Sequence, residues 1–226
     1  MNKVSQLLVR LYWLEELEVK AELTNKLVLG KNRKSSRLLL ENLINNNLIN
    51  CRRNKLFLSP LGRKLVEKSF PLWAKRDEKW SGFWWAFVFD LSAKERSLHR
   101  SLLRFLRRLG FGLLQQSTFI SPYDWSKELR LWFRMRNLDL TGDWGEKILL
   151  VKMIDFDCPA ASCWPLDLTK SAYLEVERIK NIHDQFKKLI EAMSIDPWLP
   201  DKVKVSSEIN KLREGVISTF LGRLRH

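Results

Sequence analysis

The sequence predicts an α+β fold in three successive parts, and three observations carry that expectation. Residues 1–69 alternate helical apolar spacing with turn residues, residues 83–160 set apolar strand patterns around an amphipathic helix, and residues 161–226 show helical apolar periodicity with many charges between. A linker is expected over 70–82. With 226 residues, 45% of them hydrophobic, the chain can build genuine cores.

In the first part Val4, Leu7, Leu8, Leu11 and Leu14 recur at helical spacing and predict a first helix. A second, short helix is expected over Ala21 to Leu27, and Gly30 supplies the turn after it. Lys31-Asn32-Arg33-Lys34-Ser35-Ser36-Arg37 then leads into a third helix with Leu39, Leu40, Leu43 and Ile44 inward. Asn47 stands where a left-handed residue closes that helix, since Asn tolerates positive φ. Leu48 to Cys51 and Lys55 to Leu58 form strand runs around Arg52-Arg53-Asn54, a β-hairpin with a basic tip. Ser59 is an N-cap and Pro60 a first helical residue, opening a helix through about Lys68. Helix, turn, helix and hairpin together make an N-terminal winged helix-turn-helix.

Beyond the linker, Trp84 to Leu91 reads as a strand buried on both faces. Ser92-Ala93-Lys94-Glu95 is a capping-box pattern, so a helix begins there with Leu98, Leu102, Phe105, Leu106 and Leu109 on its inner face and Gly110 at its end. Gly112 to Ile120 returns as a strand, irregular near Gln115-Gln116 and stopped by Ser121-Pro122; Lys147 to Ile154 is a further strand. That order predicts a middle ferredoxin-like domain with its remaining short strand somewhere in Leu129 to Leu138. The C-terminal helical region is expected as one helix over Tyr173 to Met193, carrying Ile179, Ile182, Phe186, Leu189 and Ile190, and another over Ser206 to Leu224. Asp196-Pro197-Trp198-Leu199-Pro200 separates them.

The net charge of +14 directs attention to a polyanionic partner. Residues 1–79 hold 17 Lys/Arg against 8 Asp/Glu, whereas residues 80–226 hold 23 against 18, so the excess is concentrated in the first third. The longest apolar run, Phe83 to Phe89, is too short to cross a bilayer, and the expected compartment is the cytoplasm, with no membrane partner. Cys51, Cys158 and Cys163 are odd in number and lack CxxC spacing, which favours reduced thiols. His99, His183 and His226 are far apart without acidic or Cys companions, and no phosphate-cradling loop or nucleophile elbow is present. No cofactor, metal or catalytic group is therefore expected, and the chain reads as a non-enzyme.

A helix entering the major groove needs a basic, polar first turn, and Lys31, Asn32, Arg33, Lys34, Ser35, Ser36 and Arg37 supply one. Arg52, Arg53, Asn54 and Lys55 at the hairpin tip are suited to an adjacent minor groove or its phosphates. The plainer alternatives are a solvated helix start and an ordinary exposed turn. Arg96, Arg100, Arg104, Arg107 and Arg108 either add nucleic-acid contacts, hold an anionic effector, or form a solvated face. Trp80, Trp84 and Trp164 read first as packing residues and second as a stacking surface.

The run Trp80-Ser81-Gly82-Phe83-Trp84, its continuation through Val88-Phe89-Asp90-Leu91 to Arg96, and residues 107–125 (RRLGFGLLQQSTFISPYDW) resemble the phenylacetic-acid-degradation repressor family, the PaaX-like regulators. Ser36-Arg37 through Leu43, Asn47-Leu48, Leu58-Ser59 with Gly62, and Asp196-Pro197 with Leu199-Pro200 extend the likeness. Asn42 departs from the arginine common in that family's recognition helix, and Trp164-Pro165-Leu166-Asp167 follows its later Trp-Asp-Leu pattern only loosely. The resemblance implies a homodimeric transcriptional repressor that binds a palindromic double-stranded DNA operator and is released by an effector such as an aryl-coenzyme A. The middle domain is also similar to the small ferredoxin-like subunit of CRISPR adaptation complexes, whose first strand ends in a carboxylate; Asp90 takes that place. That second likeness implies two alternatives: a metal-dependent nuclease using Asp90, or a repressor of a CRISPR or other defence locus.

Overall fold

The computed structural model describes residues 3–18, 33–75, 77–154, 160–199 and 207–225. They divide into two compact units: Met1–Pro71 with Asn181–His183 and Leu221–His226, and Leu72–Lys180 with Asp184–Phe220. The first unit runs α1 (Lys3–Leu14), β1 (Glu16–Glu18), α2 (Arg33–Asn45), β2 (Ile49–Arg52), β3 (Lys55–Leu58) and α3 (Pro60–Ser69). The helix expected over Ala21 to Leu27 and the turn at Gly30 lie outside the described residues. Helix α1 is more deeply embedded than its apolar stripe foretells, because Val9, Arg10 and Tyr12 are buried alongside Leu7, Leu8 and Leu11. Strand β1 has no counterpart in the sequence reading. Glu16-Leu17-Glu18 carries no apolar run, yet it pairs antiparallel with Phe57, Leu56 and Lys55, giving the order β1-β3-β2.

Helix α2 buries Leu40 and Leu43, but Ile44, expected inward, is 37% exposed. The helix closes where the sequence places it: Asn47 takes φ 54°, its N–H donates to the Ile44 carbonyl at 2.9 Å, and the Leu48 N–H donates to the Leu43 carbonyl at 2.9 Å. These two bonds form a Schellman motif, and they turn the chain directly into β2. The hairpin β2–β3 pairs Ile49 with Leu58 and Arg52 with Lys55, leaving Arg53-Asn54 as a two-residue turn. Ser59 caps α3 by accepting from the Gly62 N–H at 2.9 Å, while its hydroxyl donates to the Asn47 carbonyl.

The second unit begins within a 3₁₀ turn, Pro71–Lys75, inside the stretch read as a linker, which buries Leu72 and Trp73. It continues through β4 (Phe83–Phe89), a 3₁₀ turn (Ala93–Glu95), α4 (Arg96–Arg108), β5 (Gly112–Gln115), β6 (Thr118–Ser121), α5 (Ser126–Arg134), α6 (Asp143–Lys147) and β7 (Ile148–Ile154). The sheet order is β5-β6-β4-β7 with every pair antiparallel. This is the ferredoxin-like arrangement, in which the first strand of the βαββαβ unit lies between the third and fourth.

The fourth strand comes from an unexpected place. Gly112 to Ile120, read as one strand, is a hairpin of β5 and β6 with Gln116-Ser117 at its turn and a bulge between Leu113 and Gln115. The segment 129–138, where a short strand was expected, instead supplies most of α5, burying Leu129, Trp132 and Phe133. Nothing in Gln116-Ser117 advertises a turn, because neither residue is Gly, Asn or Asp and neither takes positive φ. On the helical side of the sheet Phe87 packs on Phe111 and Phe133, and Phe89 on Phe119 and His99. On the other side Trp84, Ala86 and Ile120 pack with Cys163, Trp164 and Leu199.

The helix expected over Tyr173 to Met193 is two helices, α8 (Leu166–Arg178) and α9 (Ile182–Ile195), after the short α7 (Ala160–Cys163) and before α10 (Ser207–Arg225). The break falls at Ile179, whose extended backbone ends α8, and the Val176 carbonyl there accepts both the Ile179 N–H at 3.2 Å and the Gln185 side-chain amide at 3.1 Å. The Asp196-Pro197-Trp198 turn is tied down from three directions. Asp196 is 1% exposed and accepts from Tyr173 Oη at 2.7 Å, from Arg213 Nη1 at 3.0 Å and from the Trp198 N–H at 2.8 Å.

Candidate nucleic-acid interface

Helix α2 and the β2–β3 hairpin belong to the first unit. Arg33, Lys34, Ser35 and Ser36 form the first turn of α2, while Lys31 and Asn32 lie outside the described residues. Arg37, one turn further on, is exposed and its Nε donates to Glu41 Oε1 at 2.9 Å. The pair's side chains are 77% and 50% solvent-exposed, so its net worth is about 0.3–0.5 kcal/mol and a phosphate can take Arg37 from Glu41 at small cost. The outer positions Glu41, Asn42, Asn45 and Asn46 are exposed as well, giving α2 a polar face opposite Leu40 and Leu43. The basic first turn lies at the far end of the helix from the hairpin, roughly 18 Å along its axis at 1.5 Å per residue.

At the hairpin tip Arg53 and Asn54 adopt φ 49° and 62°, both positive as a type I′ turn requires. Asn is at ease there, but Arg is not: a β-carbon in the left-handed region costs about 1 kcal/mol or more. The turn thus places a cation where glycine would fit with less strain. Arg52, Arg53 and Asn54 are exposed and Lys55 is half-buried, so three of the four predicted hairpin residues project into solvent. Sequence reading did not mark what holds this hairpin to α3. Gly62 is the key: a β-carbon there would stand 2.1 Å from the Leu48 carbonyl oxygen, so only glycine lets α3 approach the hairpin base.

The second unit gathers other chemistry-bearing residues. Asp90 is exposed at the end of β4, and its N–H donates to the Lys147 carbonyl at 2.8 Å. Lys147 Nζ donates to Glu95 Oε1 at 2.9 Å. The Glu95 carboxyl is lowered from 4.5 to about 2, first by that bond and then by the Ser92 hydroxyl and N–H. Glu95 chiefly, with Asp143 and Asp90 further off, raises the Lys147 ammonium above its usual 10.5. Among the described residues no cluster of three or more His, Cys, Asp or Glu is placed to hold a metal. Trp80, Trp84 and Trp164 pack in a row of tilted rings, with centroids 5.5 and 5.9 Å apart. The Trp164 indole donates to the Gly110 carbonyl at 2.9 Å and lies over Gly112, where a β-carbon would fall 2.4 Å from the ring. These tryptophans pack on one another and on backbone. Cys51 is exposed and Cys163 buried, both as free thiols, while Cys158 lies outside the described residues.

A sequence model of the PaaX protein central Cas2-like domain matches residues 77–141. This segment is similar to the PaaX central domain. The PaaX match takes in β4, α4, the β5–β6 hairpin and α5, the stretch that holds most of the resemblance read from the sequence. No curated protein matches the chain significantly. Among solved structures, "Uncharacterized protein Rv0674 from Mycobacterium tuberculosis" aligns over 98% of this chain and 94% of that one, with a TM-score of 0.56 and 15% identity. At that identity the likeness concerns the fold, an α+β architecture extending well beyond the PaaX domain. Among the described residues no helix is long and apolar enough to cross a membrane.

Proposed function

We propose that the chain is a DNA-binding transcriptional repressor of the PaaX type, acting as a homodimer on a palindromic operator. The observation that carries the reading is the hairpin tip, where Arg53 occupies a left-handed position beside exposed Arg52 and Asn54, next to a helix that opens on Arg33-Lys34-Ser35-Ser36. Strain kept at an exposed cation is expected where the cation has a partner. In this reading Lys31 to Arg37 meet base edges and phosphates in the major groove, and Arg52 to Lys55 hold the neighbouring phosphates. Dimerisation draws support from β7, a sheet-edge strand whose Leu149 and Ile154 are 57% and 78% exposed. An aryl-coenzyme A effector would act by changing the spacing of the two DNA-reading modules.

Gel retardation with the gene's own upstream region tests the proposal. Replacing Arg33, Lys34 and Arg37 together by alanine should weaken operator binding by at least about 100-fold, since each lost base or phosphate contact is worth roughly 1–3 kcal/mol. Equal retardation by both proteins defeats it.

A further inference from the structure

Helix α4 has the sequence RSLHRSLLRFLRR, with five arginines and neither a lysine nor a carboxylate. Leu102 and Leu106 are fully buried on its inner side, while Arg96, Arg100, Arg104, Arg107 and Arg108 are all exposed. Four of them follow one another at i, i+4, a row about 18 Å long at 1.5 Å per residue. Like charges at that spacing destabilise a helix, so the row is a cost to the free protein. Several other surface cations do have acidic partners: Arg37 has Glu41, Lys75 has Glu78, and Lys188 has Glu175 and Glu191. Among the described residues none of the five α4 arginines has a carboxylate within ion-pair distance.

The neighbouring helix continues the surface. Arg130 and Arg134 on α5 are exposed, and the rings of Phe105 and Trp132 stack at 5.4 Å to join the two helices. Arg136 lies over the Trp132 ring at 3.9 Å and donates to Ser101 Oγ of α4 at 3.5 Å, which holds its guanidinium at the seam. The choice of arginine throughout suits phosphate oxygens, which its planar fork binds in pairs.

We propose that the α4–α5 layer is a second, sequence-independent binding surface for the phosphate backbone of duplex DNA, separate from the winged helix. A duplex presents one charge per about 1.7 Å of axis, so a row of this length meets several phosphates at once. The inference does not rest on the repressor reading, since it needs only the folded second unit.

The test measures full-length protein binding to a random-sequence duplex between roughly 50 and 200 mM salt. Replacing Arg96, Arg100, Arg104 and Arg108 by glutamine should lower the slope of log affinity against log salt by about 3 to 4, and the same positions as lysine should restore it. Single Arg100→Gln and Arg104→Gln variants, each expected to remove about one unit of slope, decide the matter if the fourfold variant does not fold. An unchanged slope overturns the inference. So does a variant that keeps its duplex slope while losing affinity for coenzyme A alone, because the face would then be a small-anion site. If the wild type prefers no operator yet the glutamine variants still lose slope, the repressor reading fails and this surface stands.

Discussion

The α-carbon of Gly62 sits so near the Leu48 carbonyl that a methyl group there would stand 2.1 Å from its oxygen. This approach locks α3 against the base of the hairpin, and Ser59 reinforces it from the other side by bonding both the Asn47 carbonyl and the Gly62 N–H. Gly62→Ala should therefore destabilise the first unit by about 1–3 kcal/mol or more, as overpacking against backbone does. Gly215→Ala is the control: it has open space around its β-carbon within α10 and should stabilise by about 0.5–1 kcal/mol. Urea unfolding of both variants checks the pair; a neutral Gly62→Ala would show that α3 can shift away.

Arg53→Gly separates stability from binding. Relief of the left-handed β-carbon should stabilise the protein by about 0.5–1 kcal/mol after the loss of chain stiffness is set against it. Affinity for duplex DNA should fall at the same time, because one phosphate partner is gone. A melting temperature that drops would contradict the strain argument, and unchanged affinity would remove Arg53 from the interface.

The buried triad of Tyr173, Asp196 and Arg213 should respond unequally to substitution. Burial, then the Asp196 carboxylate, hold the Tyr173 hydroxyl protonated well above its ordinary range, so it remains a donor. Tyr173→Phe removes one of the donors to Asp196 and should cost about 1–2 kcal/mol. Asp196→Ala strands the Arg213 guanidinium, whose side chain is 9% exposed, and should cost about 3–5 kcal/mol. Denaturation midpoints in the reverse order would mean that Arg213 finds another partner.

Acid should loosen the contact between Glu95 and Lys147. The Glu95 carboxyl lies below its ordinary 4.5, at about 2, so the stability it contributes is complete above 4.5 and is lost as pH falls towards 2. The raised Lys147 contributes below 10.5 and loses that contribution as pH climbs past it. The melting-temperature gap between wild type and Glu95→Gln should consequently be open at pH 7 and closed near pH 2. A gap constant across that range argues against the carboxylate.

Much of the first unit was legible because its signals are local. Asn47, the Arg52–Asn54 turn and the Ser59-Pro60 cap each act within a few residues, and each falls where the sequence places it. The ferredoxin-like order was readable from its apolar strands, but the β5–β6 hairpin hid inside one apolar run because Gln116-Ser117 turns without Gly or Asn. Helix α8 ends at Ile179 with no glycine or proline to announce it, and its Val176 carbonyl is shared between the Ile179 N–H and Gln185 of the next helix. At the candidate site the exposure of Arg37 and Arg53 matches their composition, whereas the role of Gly62 depends on Leu48 across a tertiary approach that no spacing rule encodes.

Strand β7 has a practical consequence for anyone wishing to isolate the PaaX domain. It pairs with β4 along all seven residues from Phe83 to Phe89, yet it begins at Ile148, past the last matched position at 141. A fragment cut to the matched limits would bare one whole flank of its longest strand and lose Trp164 from over Trp84, inviting fibrillar stacking of the excised piece. The limits of the sequence match and the limits at which the polypeptide becomes self-sufficient are different lines.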